Sequence, residues 1–126
     1  LRDVHEYIMV FSKDDYQLKN GDTTSDISRD EFLELTKSIW VFPTVSAKKI
    51  GHPAPFPEEL PKRLIKLYSY PSNVVLDPFV GSGTACVAAK RLGRKYIGYD
   101  LSKKYCKLAE NRIKKEFAQK TLKAIA

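Results

Sequence analysis

Two periods of apolar spacing alternate along this chain. Residues 5–12, HEYIMVFS, repeat every two positions, with Tyr7, Met9 and Phe11 on one face and Glu6, Ile8 and Val10 on the other. That spacing predicts a strand, and its two largely apolar faces predict one mostly covered by other elements. Residues 13–26 are polar, with Asn20-Gly21 as a turn signal. The order Ser28-Arg29-Asp30-Glu31 has the form of a capping box. It predicts a short helix running to Lys37, with Phe32, Leu35 and Ile39 near helical spacing. Pro53, Pro55 and Pro57 then stiffen residues 50–57 and remove backbone donors. A second helix is predicted over 60–68, with Leu60, Leu64, Leu67 and Tyr68 as its apolar side and Pro61 confined to its first turn.

From residue 70 onward the pattern changes to a βαβ unit. Residues 70–73, YPSN, read as a turn, and Val74, Val75 and Leu76 form the continuous apolar run of a parallel strand covered on both faces. A helix over 84–92 stops at Gly93, and a second strand follows over 96–99. Ser102 is placed to cap a last helix from Lys103, whose inward stripe is Tyr105, Ala109, Ile113 and Phe117. The fold class is α/β.

Composition narrows the class without naming it. The 126 residues fit one domain, and 43% hydrophobic content suffices for a packed core. The net charge of +7, from 22 Lys and Arg against 15 Asp and Glu, suits a polyanionic partner such as nucleic acid. No apolar run reaches bilayer length and no secretory leader is visible, so a cytoplasmic location and no membrane partner are expected. Cys86 and Cys106 read as free buried thiols, and no His/Cys cluster has metal-ligand spacing, so no metal is expected.

The candidate chemistry lies in residues 74–84, VVLDPFVGSGT. Gly81 and Gly83 allow a sharp turn that brings backbone amides toward a ligand, and a helix points its amino end into the same space. The dinucleotide fingerprint G-x-G-x-x-G has a third glycine where this chain has Cys86. Asp77 stands before the turn, where a carboxylate can accept from an ammonium group, and Asp100 follows the second strand where ribose hydroxyls would lie. The set Asp77, Gly81, Gly83 and Asp100 favours a nucleoside with a cationic amino group and no phosphate, S-adenosylmethionine.

The stretches HPAPFPEEL (52–60), VLDPFVGSGT (75–84) and RKYIGYDLSKKYCKLAENRI (94–113) together resemble the permuted DNA amino-methyltransferases, which methylate cytosine N4 or adenine N6. The resemblance implies a Rossmann-like S-adenosylmethionine-dependent fold whose sheet is incomplete in this chain. It implies three regions: 1–13 as a late strand of the catalytic half, 14–50 as a short target-recognition or connecting region, and 51–126 as the cofactor-binding half-domain. By the same resemblance His52, Pro53, Ala54, Pro55, Phe56 and Pro57 line the methionine end of the cofactor. Phe79 closes over it from the turn formed by Asp77, Pro78, Gly81, Ser82, Gly83 and Thr84. Asp100 meets the ribose, and Tyr99 or Leu101 flanks adenine.

One motif of that family is missing. Its catalytic tetrapeptide, an Asp, Asn or Ser before two prolines and an aromatic residue, occurs nowhere in these 126 residues, so no catalytic residue is assigned. An exocyclic amine has its lone pair delocalised into the base, and methyl transfer needs it held in line by oriented acceptors. The expectation is therefore a chain inactive alone, with unpaired strand edges and exposed apolar faces. A preceding catalytic segment of a longer polypeptide, favoured by the start at Leu1, or a companion chain would complete it. Double-stranded DNA with a flipped base is the expected partner, and the HPAPFP form leans toward cytosine N4. A methyltransferase of RNA or small molecules and a non-catalytic binding subunit are the alternatives. Trp40 is expected to serve packing rather than base stacking.

Overall fold

The computed structural model describes residues 4–15, 23–46 and 56–125. Its elements are α1 (Arg29–Leu35), α2 (Glu59–Tyr68), β1 (Val74–Asp77), α3 (Thr84–Arg91), β2 (Lys95–Gly98) and α4 (Lys103–Ile125). β1 and β2 are parallel neighbours in a two-stranded sheet, with Val75 opposite Tyr96 and Asp77 opposite Gly98.

Local chemistry accounts for most of these boundaries. The capping box opens α1: Glu31 N–H donates to Ser28 Oγ at 3.2 Å, and Ser28 N–H donates to Glu31 Oε2 at 3.1 Å. The turn before β1 closes through Tyr70 N–H to Asn73 Oδ1 at 2.9 Å. Gly93 ends α3 with a φ of +73°, a left-handed conformation that a side chain would strain. Before α4, Ser102 accepts at its carbonyl from Tyr105 N–H at 2.9 Å, while its own N–H is held by Asp100.

The core lies on one face of the sheet. Val75 and Tyr96 pack against Ile65 of α2 and Ala88 and Ala89 of α3. Beside them, Val80, Cys86 and Val87 meet Ala109 and Ile113 of α4, with Phe117 against the edge. The opposite face is bare: Val74, Leu76 and Ile97 are exposed, Leu76 to 57%. Val74–Leu76 is therefore covered on one face and not on both, because the described residues hold a single helical layer.

The amino-terminal segment departs further from expectation. Residues 5–11 form no strand, and Tyr7, Ile8, Met9, Val10 and Phe11 are all exposed. Extended backbone becomes a strand only when another strand takes its hydrogen bonds, and no described residue does so. Among the described residues, the unpaired edges and exposed apolar faces read from the sequence are present. Three smaller corrections follow: Phe32 and Ile39 of the α1 pattern and Tyr68 of α2 face outward, and Pro61 and Ile65 carry α2's burial instead. Cys106 is half-buried rather than buried, though both cysteines are free.

A single arginine ties residue 26 to this layer. The buried Arg94 side chain uses all five N–H groups: Nε to Ser69 Oγ at 3.1 Å, Nη2 to Ser69 O and Asp26 Oδ1 at 2.8 Å, and Nη1 to Leu92 O and Asp26 Oδ2. The hydrogen bond from Arg94 holds the Asp26 carboxyl below its usual range. Trp40 donates its ring N–H to Leu35 O at 3.1 Å and lies beneath the Arg63 guanidinium, 5.5 Å from the ring centre, as packing requires.

Candidate functional site

The turn between β1 and α3 gathers the sequence-predicted residues at the carboxyl ends of both strands, where open α/β sheets carry their ligands. Asp77 closes β1, and its Oδ1 accepts from Phe79 N–H at 3.0 Å, which bends the chain at Pro78. Val80 N–H then reaches Tyr99 O at 2.7 Å, and Tyr99 N–H returns to Asp77 O at 2.9 Å. The two strand ends are thus laced together beyond the sheet.

Asp100 fixes the next step. Its Oδ2 accepts from Gly81 N–H at 3.1 Å and its Oδ1 from Ser102 N–H at 2.8 Å. One carboxylate therefore holds the glycine turn and the entry to α4 at once, with lone pairs left for further donors. Gly81 and Gly83 have φ of +46° and +79°. The turn also closes on itself, through Gly83 N–H to Val80 O at 2.7 Å. Consequently the amides of Phe79, Val80, Gly81 and Gly83 are bonded within the protein rather than directed at a ligand. Such a turn makes a poor pyrophosphate cradle and offers acids in its place, which fits a cationic ligand.

The missing third glycine has a counterpart. A Cβ on Gly98 would lie 2.6 Å from Val80 Cγ2 and 3.1 Å from Cys86 Sγ, so β2 supplies the close approach and α3 carries the side chain. The Cys86 thiol is pushed up to about 11 by burial and by the negative charge of Asp77. It remains protonated and inert at neutral pH.

Other predicted residues divide in three ways. Ser82 and Thr84 are buried under the turn, where their hydroxyls meet at 3.2 Å. Phe79, Tyr99 and Leu101 stand exposed around it, Phe79 to 85%. Phe56 and Pro57 lead into α2, whereas His52, Pro53, Ala54 and Pro55 lie outside the described residues. Among the described residues no group of three His, Cys, Asp or Glu could hold a metal, and no helix is long and apolar enough to cross a membrane.

Sequence reading missed the charged network behind the turn. Arg112 Nη1 donates to Thr84 Oγ1 at 2.9 Å and to Ser82 O at 3.3 Å. Its Nη2 lies 3.9 Å from Glu58 Oε2, and Glu58 Oε1 accepts from Arg91 at 2.6 Å. Arg91 also pairs with Glu116. Position 112 falls three after Ala109, beside the inward stripe of α4, and that spacing is the signal that could have marked it.

Comparison with known proteins gives this site a family. A family model described as DNA methylase matches residues 1–111. The Type II methyltransferase M2.LlaDCHI of Lactococcus lactis subsp. cremoris is 50% identical over 82 residues, covering 63% of this chain and 30% of the relative. M.MthZI of Methanothermobacter thermautotrophicus is 33% identical over 121 residues, covering 86% and 34%. Among solved structures, the putative DNA modification methylase TTHA0409 of Thermus thermophilus, complexed with S-adenosyl-L-methionine, superposes with a TM-score of 0.67 at 34% identity. That match covers 81% of this chain and 40% of the other. The chain spans between 24% and 38% of the length of the curated relatives compared.

Proposed function

This chain belongs to the DNA methylase family of cytosine-N4 and adenine-N6 amino-methyltransferases, and from that membership we propose that it is the cofactor-binding portion of such an enzyme. The fold is the corresponding part of a Rossmann-like methyltransferase. The ligand of the turn is S-adenosylmethionine. The observation that carries this reading is the pair of acids on adjacent strand ends, Asp77 after β1 and Asp100 after β2, flanking a turn whose Phe79, Val80, Gly81 and Gly83 amides are already bonded.

S-adenosylmethionine supplies an electrophilic methyl group. Asp77 accepts from the methionine ammonium, and the free lone pairs of Asp100 accept from ribose hydroxyls. Phe79 folds over the ligand, Tyr99 and Leu101 offer apolar surface to adenine, and residues 52–57 line the methionine end. These side chains fix the methyl donor in place, which turns methyl transfer into an effectively intramolecular event once the base arrives. The base is an exocyclic-amino cytosine or adenine flipped from duplex DNA. The acceptors that orient its amine come from a tetrapeptide outside these residues, in a preceding segment or a companion chain. That catalytic half also covers the bare sheet face, where Val74, Leu76 and Ile97 await a second layer.

Calorimetric titration with S-adenosylmethionine tests the assignment. Asp77→Asn and Asp100→Asn should each weaken binding by about tenfold or more, the loss of a hydrogen bond between charged groups. Unchanged affinity in both variants, shown to be folded by circular dichroism, would refute it.

A further inference from the structure

Two residues of α4 press on the glycine turn from behind. Ala109 leaves so little room that a Cβ on Gly83 would come within 2.9 Å of its own Cβ. Three positions on, along the same helix face, Arg112 Nη1 reaches Thr84 Oγ1 at 2.9 Å, Ser82 O at 3.3 Å and Ser82 Oγ at 3.4 Å. Both hydroxyl residues are buried, so these bonds form away from bulk water. The other terminal nitrogen of Arg112 faces Glu58, the residue that precedes α2 and directly follows Pro57.

We propose that Arg112 is a positioning residue that sets the shape of the cofactor turn and registers it against the end of the proline-rich stretch. The proposal rests on the reading above that this turn binds S-adenosylmethionine. Glu58 balances the guanidinium charge, so Arg112 acts through hydrogen-bond geometry rather than through its field on a cationic ligand. Thr84 then serves as the handle by which α4 holds the turn, and its hydroxyl is engaged behind the turn. Only a forked, planar donor can reach Thr84 and Ser82 with one arm and face Glu58 with the other.

The test measures S-adenosylmethionine affinity and melting temperature together in the full chain. Arg112→Met and Thr84→Val should each weaken binding about tenfold, the worth of one hydrogen bond to a charged group. The double variant should lose clearly less than the two single losses added together, because both changes remove the Arg112–Thr84 bond. Arg112→Lys should recover part of the loss. A merely structural arginine would lower the melting temperature and leave the affinity of the folded protein unchanged. Affinity within about twofold of the unaltered chain in folded Arg112→Met overturns the role of Arg112, as does full additivity with Thr84→Val. If Arg112→Met does not fold, Thr84→Val is read against Ser82→Ala, which deletes the Ser82–Thr84 hydroxyl contact and leaves the Arg112–Thr84 bond. An affinity loss in Thr84→Val no greater than in Ser82→Ala then overturns the role of Arg112. Failure of the unaltered chain to bind S-adenosylmethionine overturns the reading of the turn itself, and this role with it.

Discussion

The two faces of the β1–β2 sheet carry similar residues and meet opposite fates. Val75 and Tyr96 on one face are packed beneath α2 and α3, while Val74, Leu76 and Ile97 on the other are exposed. Valine, leucine and isoleucine do not decide which side is core. What decides is whether the chain supplies a layer to cover it, and α2, α3 and α4 all lie on the same side. Intrinsic strand chemistry and burial are therefore separable here, residue by residue along one strand.

The largest expected effect contrasts the two faces directly. Val87, fully buried beneath the covered face, becomes an unpaired buried charge in Val87→Asp, at a cost of about 4 kcal/mol or more. Leu76→Asp on the bare face should cost this chain under about 1 kcal/mol. Urea unfolding of both variants measures the difference, and equal losses would break the comparison. On the proposal that a catalytic half covers this face, Leu76→Asp should instead disrupt their joining.

Next comes the anchor at the rim of the covered layer. Asp26→Asn leaves the buried Arg94 without its carboxylate and should cost about 3 kcal/mol at neutral pH. Because the Asp26 carboxyl is held below its usual range, its contribution is complete above the ordinary value of 3.8 and fades as pH falls through the lowered one. Glu31, Glu34 and Glu59 are also held low by their lysine and arginine neighbours. Unfolding titrations against pH should therefore show an acid-side loss in both chains that is larger in the unaltered one than in Asp26→Asn. The same loss in both would assign it elsewhere.

The smallest effect compares neighbours on β2 that face opposite ways. Gly98→Ala drives a methyl toward Val80 at 2.6 Å and should cost about 1–3 kcal/mol by overpacking. Ile97→Ala, which removes far more apolar volume from the bare face, should cost less than about 1 kcal/mol. Reversal of that order in thermal unfolding would show that the bare face is already partnered, for example by self-association.

What the sequence made legible is what neighbouring residues settle among themselves. The capping box at Ser28 and the stop at Gly93 rest on contacts within a few positions. The turn at 77–84 and the stripe of Ala109 and Ile113 announce themselves by local residue type and spacing, although Asp100, Val80 and Val87 hold them from farther off. Residues 5–12 misled for the complementary reason: alternation reports that two faces expect cover, and says nothing of whether this chain contains it. Arg94 and Arg112 were unreadable because an arginine's burial depends on distant acceptors. Asp26 lies 68 positions from Arg94 and Ser82 lies 30 from Arg112. Gly98 passed as an ordinary strand residue because its need for space comes from Val80 and Cys86, across the turn and one helix away.

The two-stranded sheet has a further consequence, for handling the protein. Each strand is hydrogen-bonded on one side only, so among the described residues both outer edges present free backbone donors and acceptors beside a bare apolar face. Such edges template pairing with any extended chain, including another copy of this one. Four residues per strand is short, and the exposed Lys95 places a charge at the start of β2, features that blunt such pairing without abolishing it. The face proposed to receive a catalytic half is thus also where copies of this chain would first pair with one another.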